Sequence, residues 1–123
     1  MLMAHFLVAD DSTVVRKVVR RICEDLAFDV SEAEDGPEGL EICKRGMPDA
    51  VLVDWQMPRM DGYEFVRALR EIEGGKEPTV ILCFSELNIG ATGRAKRAGA
   101  DDFMLKPFDK EVLEAKFREV GLL

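Results

Sequence analysis

A chain of 123 residues, 47% of them apolar, is the size of one ordinary domain and can bury a single core without staples, which argues against two domains. Seventeen Lys and Arg against twenty-four Asp and Glu leave a formal charge of -7, which argues against nucleic acid or an anionic membrane as the main partner and suits a divalent cation. Cys23, Cys43 and Cys83 are widely spaced among apolar residues and match no zinc pattern, so they read as free buried thiols in a reducing compartment.

The opening "MLMAHFLVADD" has no basic region before its apolar run and no small-residue cleavage site. No apolar stretch approaches the roughly 18 residues of a membrane span, and a cytoplasmic location is expected. "HFLVA" then reads as a first strand. Behind a capping Ser12, "STVVRKVVRRICEDLAF" places Val15, Val18, Val19, Ile22 and Leu26 at spacings of three and four, predicting a helix with one buried stripe. "FDVSEA" alternates and predicts a second strand, and "PEGLEICKRG" opens on Pro37 and closes on Gly46 as a helix does. "AVLV" is a third strand, "YEFVRALREIE" after Gly62 a helix, "EGGKEP" (73–78) a loop and "TVILCF" a fourth strand. "NIGATGRAKRAGA" is helical by elimination, since Gly90 and Gly93 each weaken a helix by about 1 kcal/mol relative to Ala. "DFML" is a fifth strand, and "DKEVLEAKFREVG" runs from Asp109 to Gly121 with Leu113, Phe117 and Val120 on one face. There is no internal repeat, low-complexity tract or linker. Strands alternating with helices predict right-handed crossovers and an α/β parallel sheet covered on both faces, with the strand order left open.

In such a sheet every strand delivers its last residue to one edge, and ligands bind outside those carboxyl ends. The first strand ends in Asp10 and Asp11, the third in Asp54, the fourth in Ser85 and the fifth in Lys106, followed by Pro107. Asp54 directly after Val51, Leu52 and Val53 demands a partner, because burying an ionised carboxylate unpaired costs several kcal/mol. Three carboxylates cannot share a pocket fully ionised without a cation, and an all-oxygen donor set suits Mg²⁺. With a hydroxyl and an ammonium beside them, the group reads as a phosphoryl-binding constellation in which Asp54 is a candidate nucleophile.

The motifs "LVADDS", "VLVDWQMPRMDG", "VILCFSE" and "AGADDFMLKPF" at these separations resemble the two-component receiver domain of the CheY-like response-regulator family, across essentially the whole chain. The resemblance implies a flavodoxin-like fold with strand order 2-1-3-4-5, and transfer of a phosphoryl group to Asp54 from a phosphohistidine of a sensor histidine kinase or phosphotransfer protein. It implies that Asp11, Asp54 and the backbone carbonyl of Gln56 ligate Mg²⁺ directly and that Asp10 acts mainly through bound water. Lys106 would pair with the phosphoryl oxygens across a cis bond to Pro107, Ser85 would move toward the phosphoryl group, and Phe103 would be the aromatic switch. Arg94, Lys96 and Arg97 on the fourth helix would form a surface for a downstream protein. With no residues left for an effector domain, one receiver domain covering 1–123 is expected to act by binding that target, as a monomer or weak dimer. It should touch neither nucleic acid nor membrane and catalyse nothing beyond its own phosphorylation and dephosphorylation. "KPFDKEVLEAKFREVGL" and Glu86 are similar to single-domain chemotaxis regulators of alphaproteobacteria, whereas Glu86 and Leu87 depart from the usual residues after the switch hydroxyl.

Each residue also has a plainer reading. Asp10 and Asp11 could cap the first helix, Ser85 and Glu86 could be a turn, Phe103 core, and the Arg94, Lys96 and Arg97 cluster a solvated face. His5, the one histidine, belongs to the start of the first strand. An aspartate-nucleophile phosphatase would want a second Asp two residues after Asp54, where Gln56 stands, and no glycine-rich nucleotide loop occurs. A phosphorelay intermediate, a phosphate sink and a phosphorylation-independent interaction module remain as alternatives to a chemotaxis or motility switch.

Overall fold

A computed structural model describes residues 4–86 and 89–123. The elements alternate as β1 (His5–Ala9), α1 (Thr13–Asp25), β2 (Asp29–Ala33), α2 (Gly36–Arg45), β3 (Ala50–Asp54), α3 (Gly62–Glu71), β4 (Thr79–Phe84), α4 (Ile89–Ala98), β5 (Asp102–Leu105) and α5 (Lys110–Glu119). The five strands pair in parallel in the order β2-β1-β3-β4-β5, the flavodoxin-like arrangement that the resemblance implied.

The central strands β1, β3 and β4 lack a polar face because the sheet is covered on both sides. Successive side chains point oppositely, so Leu7 and Ala9 enter one core with residues of α2, α3 and α4, while Phe6 and Val8 enter a second with α1 and α5. In the second core Phe6, Phe28 and Phe117 meet at ring-centre distances of 5.2–5.8 Å and pin α5 to the sheet. Helix starts follow the capping rules. Ser12, Asp35, Asp61 and Asp109 each accept a backbone N–H of the first turn, and Asp61 forms a reciprocal box with Glu64. Gly121, at φ 86°, closes α5 as its position predicted.

Two details differ from the periodicity. The apolar repeat of α1 runs to Leu26 and its segment to Phe28, yet the helix stops at Asp25 because Ala27 takes a left-handed φ of 67°. There the Ala27 N–H donates to Glu24 O (3.0 Å) and the Phe28 N–H to Cys23 O (2.9 Å), which satisfies the last carbonyls and frees Phe28 for the core. Val18 is 46% exposed, and Cys23 completes the stripe of Val19 and Ile22. Those three lie at i, i+3 and i+4, whereas Val18 sits about 100° around the helix from Val19.

The loop "EGGKEP" is pinned by Arg70, which donates to Gly75 O, Pro78 O and Gly99 O at 2.8–3.0 Å. The α4 segment is helical, with Ala91, Ala95 and Ala98 buried against α3 and the sheet. Among the described residues, no helix is long and apolar enough to cross a membrane.

Ala27 is exposed and left-handed, a conformation that costs an L-residue about 1–2 kcal/mol and glycine nothing. After allowance for the greater freedom of glycine in the unfolded chain, Ala27→Gly should raise unfolding stability by about 0.5–1 kcal/mol. Urea denaturation with an unchanged m-value checks this.

Candidate functional site

The chain reverses direction across the sheet at β1, whose neighbours β2 and β3 are reached by crossovers of opposite sense. That switch point opens a crevice at the carboxyl edge. Ala9 lies in register with Val53, so the next residues, Asp10 and Asp54, emerge side by side. Asp11 follows, and the carboxylates of Asp10, Asp11 and Asp54 place ligand oxygens within 4.8 Å of one another. Asp10 and Asp54 are 3% and 7% exposed, whereas Asp11 is open to solvent.

Lys106 reaches this cluster from the end of β5. Its N–H donates to Phe84 O (2.8 Å), its bond to Pro107 is cis, and its ammonium lies 2.7 Å from Asp10 Oδ2 and 3.4 Å from Asp54 Oδ1. Asp10 Oδ1 accepts the Ser12 N–H (2.9 Å), so both its oxygens are held. Among the described residues, the Asp54 carboxylate is held by Lys106 alone. Burial and then the charge of Asp10 push the Asp54 carboxyl up to about 6, with Lys106 opposing them. For Lys106, burial acts to lower the ammonium, but the hydrogen bond to Asp10 and the charges of Asp10 and Asp54 outweigh it and raise it.

One ammonium facing three carboxylates leaves the crevice short of positive charge. A set of hard oxygen donors with two or three acids fits Mg²⁺ and not a soft metal, so the residues present fit the cation that the spacing suggested.

The loop after Asp54 explains Pro58 and Gly62. Trp55 donates to Cys83 O (2.8 Å), the chain turns through Arg59 at φ 71° with Met60 N–H on Pro58 O (2.8 Å), and Gly62 N–H closes on Trp55 O (2.9 Å). A Cβ at Gly62 would meet Leu82 Cδ2 at 2.6 Å and Asp54 O at 2.8 Å, so only glycine lets α3 start against the backbone of Asp54.

The other predicted residues lie as follows. Gln56 is exposed in this loop, two residues beyond Asp54. Ser85 is exposed immediately after β4, and Leu87 lies outside the described residues. Phe103 is half-buried on β5, edge-on to Phe84 with ring centres 6.0 Å apart. Arg94, Lys96 and Arg97 are exposed on α4. His5 bonds Ser31 Oγ at the start of β1, at the opposite edge of the sheet. Composition and spacing missed two contributors. Arg16 donates from Nη1 to the Asp10 carbonyl (2.6 Å) and from Nε to Glu32 (3.2 Å), and Arg94 stacks on Trp55 and Tyr63. Both are partnerships across elements, which no local pattern marks.

The family described as the response regulator receiver domain matches residues 6–118. The chain belongs to this receiver-domain family. The chemotaxis protein CheY of Pseudomonas aeruginosa is 31% identical over 115 residues, 93% of either chain. Other curated relatives are about twice as long, this chain covering 46% and 49% of two of them. Among solved structures, chemotaxis response regulator CheY4 of Vibrio cholerae superposes on this receiver domain with a TM-score of 0.92 at 31% identity, covering 97% of this chain and 99% of that one. The receiver domain of sensor histidine kinase PA1611 from Pseudomonas aeruginosa, with a magnesium ion coordinated in its active-site cleft, gives 0.86 at 26% identity and covers 98% and 99%.

A carboxyl raised in the folded chain penalises folding once it ionises. The penalty is absent below the unfolded value near 4 and complete above about pH 6. In chelator, Asp54→Asn should therefore stabilise this receiver domain by about 1–3 kcal/mol at pH 7 and much less at pH 4. Denaturant unfolding at the two pH values measures the difference.

Proposed function

We infer that this receiver domain is a phosphorylation-driven switch in which Asp54 accepts a phosphoryl group from a phosphohistidine of a sensor histidine kinase or phosphotransfer protein. The observation that carries the reading is the carboxylate cluster of Asp10, Asp11 and Asp54 gathered against the Lys106 ammonium. Asp54 is the nucleophile because its carboxylate is the least engaged of the two buried ones, with Asp10 held at both oxygens. An Asp54 oxygen bonds to phosphorus as the phosphorus–nitrogen bond breaks, the electron pair staying with the imidazole. Lys106, 3.4 Å from Asp54 Oδ1, faces the charge on the transferring oxygens, and attack of water later uses the same groups.

Asp11, Asp54 and the Gln56 carbonyl would hold Mg²⁺ directly, with Asp10 acting through water. When bound, the cation supplies the positive charge that the crevice lacks. The magnesium in the PA1611 receiver domain supports this choice.

A phosphoryl group brings roughly 1.5 to 2 negative charges to the end of β3 and draws the Ser85 hydroxyl toward it. Phe103, packed on the Phe84 ring that precedes Ser85, relays the shift toward α4. Arg94, Lys96 and Arg97 form an exposed cationic face there, in a chain whose formal charge is -7, and this face binds the downstream protein. Output to chemotaxis or motility is favoured over a relay or sink by CheY of Pseudomonas aeruginosa, which matches over 93% of its own length. The chain turns over no substrate beyond its own phosphoryl group and works in the cytoplasm.

The test is intact mass with Mg²⁺ and a small acyl-phosphate donor. The wild type should gain one phosphoryl group and Asp54→Asn none; stoichiometric phosphorylation of Asp54→Asn would sink the assignment. Mg²⁺ at a hundred times its dissociation constant should stabilise the wild type by about 2.7 kcal/mol, and Asp54→Asn much less. Lys106→Ala should keep metal binding while losing phosphorylation-dependent partner affinity. Ser85→Ala should accept phosphate yet transmit it poorly, as titration of a partner with each form would show.

A further inference from the structure

The guanidinium of Arg94 rests 4.5 Å from the centre of the Tyr63 ring and 5.7 Å from that of Trp55. A cation at these distances is attracted by the negative face of the ring. Among the described residues, no carboxylate lies within ion-pair distance of Arg94, although acids outnumber bases by seven in the chain. The two rings are not neighbours in sequence. Trp55 directly follows Asp54, and Tyr63 is the second residue of α3, so they mark the two ends of the loop that carries Gln56.

The backbone of this loop is closed at its ends by Trp55 N–H on Cys83 O and Gly62 N–H on Trp55 O, and between them it turns through Arg59 in left-handed φ with Met60 N–H on Pro58 O. Arg94 thus holds, from a different helix, the rings at which the phosphoacceptor loop begins and ends. Trp55 also packs on Phe84, with ring centres 5.0 Å apart, and Phe84 immediately precedes Ser85. Tyr63 is braced from its own helix by Arg67, whose Nη1 lies 3.4 Å from the phenol oxygen. Among the described residues, the buried side chains of α4 are the alanines Ala91, Ala95 and Ala98, which are small.

We propose that Arg94 is a positioning residue for phosphoryl transfer at Asp54, acting through its stack on Trp55 and Tyr63, so that the setting of α4 adjusts the reactivity of the phosphoacceptor loop. The proposal rests on the receiver reading above and adds a residue to it. It also has a direction. A partner that draws Arg94 off the rings with its own acidic groups changes the rate at Asp54, and phosphorylation by linkage changes the affinity of that partner.

The experiment compares wild type, Arg94→Gln, Arg94→Lys, Tyr63→Leu, the Arg94→Gln/Tyr63→Leu double variant, and Lys76→Gln, an exposed lysine elsewhere, as the charge control. Each is followed by intact mass with saturating Mg²⁺ and an acyl-phosphate donor, by quenching of Trp55 fluorescence with acrylamide, and by thermal unfolding. Arg94→Gln and Tyr63→Leu should each slow phosphorylation about three- to tenfold, the range that one guanidinium on an aromatic face controls. Each should raise the quenching constant of Trp55 while melting close to wild type. Arg94→Lys should recover most of the rate and Lys76→Gln all of it. The double variant should be no slower than the worse single variant, because both remove one contact. Arg94→Gln reacting at the wild-type rate, or losses that multiply in the double variant, would overturn the proposal while leaving the receiver reading intact. A wild type that takes no phosphoryl group overturns both, and unchanged quenching in Arg94→Gln rejects the stack itself.

Discussion

The site depends on an imbalance of charge that the sheet forces and no side chain inside it corrects. Parallel pairing of β1 with β3 brings Asp10 and Asp54 out side by side, Asp11 follows in the loop, and Lys106 supplies one positive charge to three carboxylates. Burial makes this arrangement expensive, and it is why the Asp54 carboxyl titrates near 6 in place of about 4. The crevice is therefore suited to take up positive charge, which is the premise of the proposed phosphoryl transfer. In the proposed switch, metal affinity, nucleophilicity and the response to phosphorylation would all draw on that one imbalance.

The surroundings hold these groups still. Ser12 N–H and Lys106 take one oxygen each of Asp10, and Arg16 grips its carbonyl from α1 while leaning on Glu32 of β2. Asp10 is thus fixed from three directions, whereas the Asp54 carboxylate is held by Lys106 alone among the described residues. The loop after Asp54 is more loosely held, closed by two backbone bonds and a glycine that nothing larger could replace. It begins at Trp55, which is half-buried. Rings run in contact from Phe103 through Phe84 to Trp55, and Arg94 of α4 caps the last of them. The strand ends and α4 are therefore joined by a continuous packed path, in which α4 is a glycine-containing helix whose buried side chains, among the described residues, are alanines.

Much of this was legible before any coordinates. The apolar runs and their capping residues located ten elements, because a strand buried on both faces must be apolar throughout and a helix must satisfy its first N–H groups. The site was legible for a related reason: in a parallel sheet all strands point the same way, so residues at their ends share an edge however far apart they lie in the chain. Asp10 and Lys106, 96 positions apart, meet at 2.7 Å on that account. Where periodicity misled, a single backbone angle was responsible. Ala27 ends α1 three residues before the segment read as helical does, since an alanine in left-handed φ carries no local signature.

By itself the sequence determined the α/β class, the set of chemical groups at the carboxyl edge, and through its motifs the family and the strand order. It did so because burial and hydrogen bonding constrain residue type one element at a time. Only the tertiary structure decided which carboxylate Lys106 holds more closely, that Arg16 fixes Asp10, and that Arg94, though exposed, rests on Trp55 and Tyr63. Those are choices among several oppositely charged or aromatic partners within reach of a long side chain. They are settled by distances of a few ångströms between elements, and such distances have no trace in the order of residues along the chain.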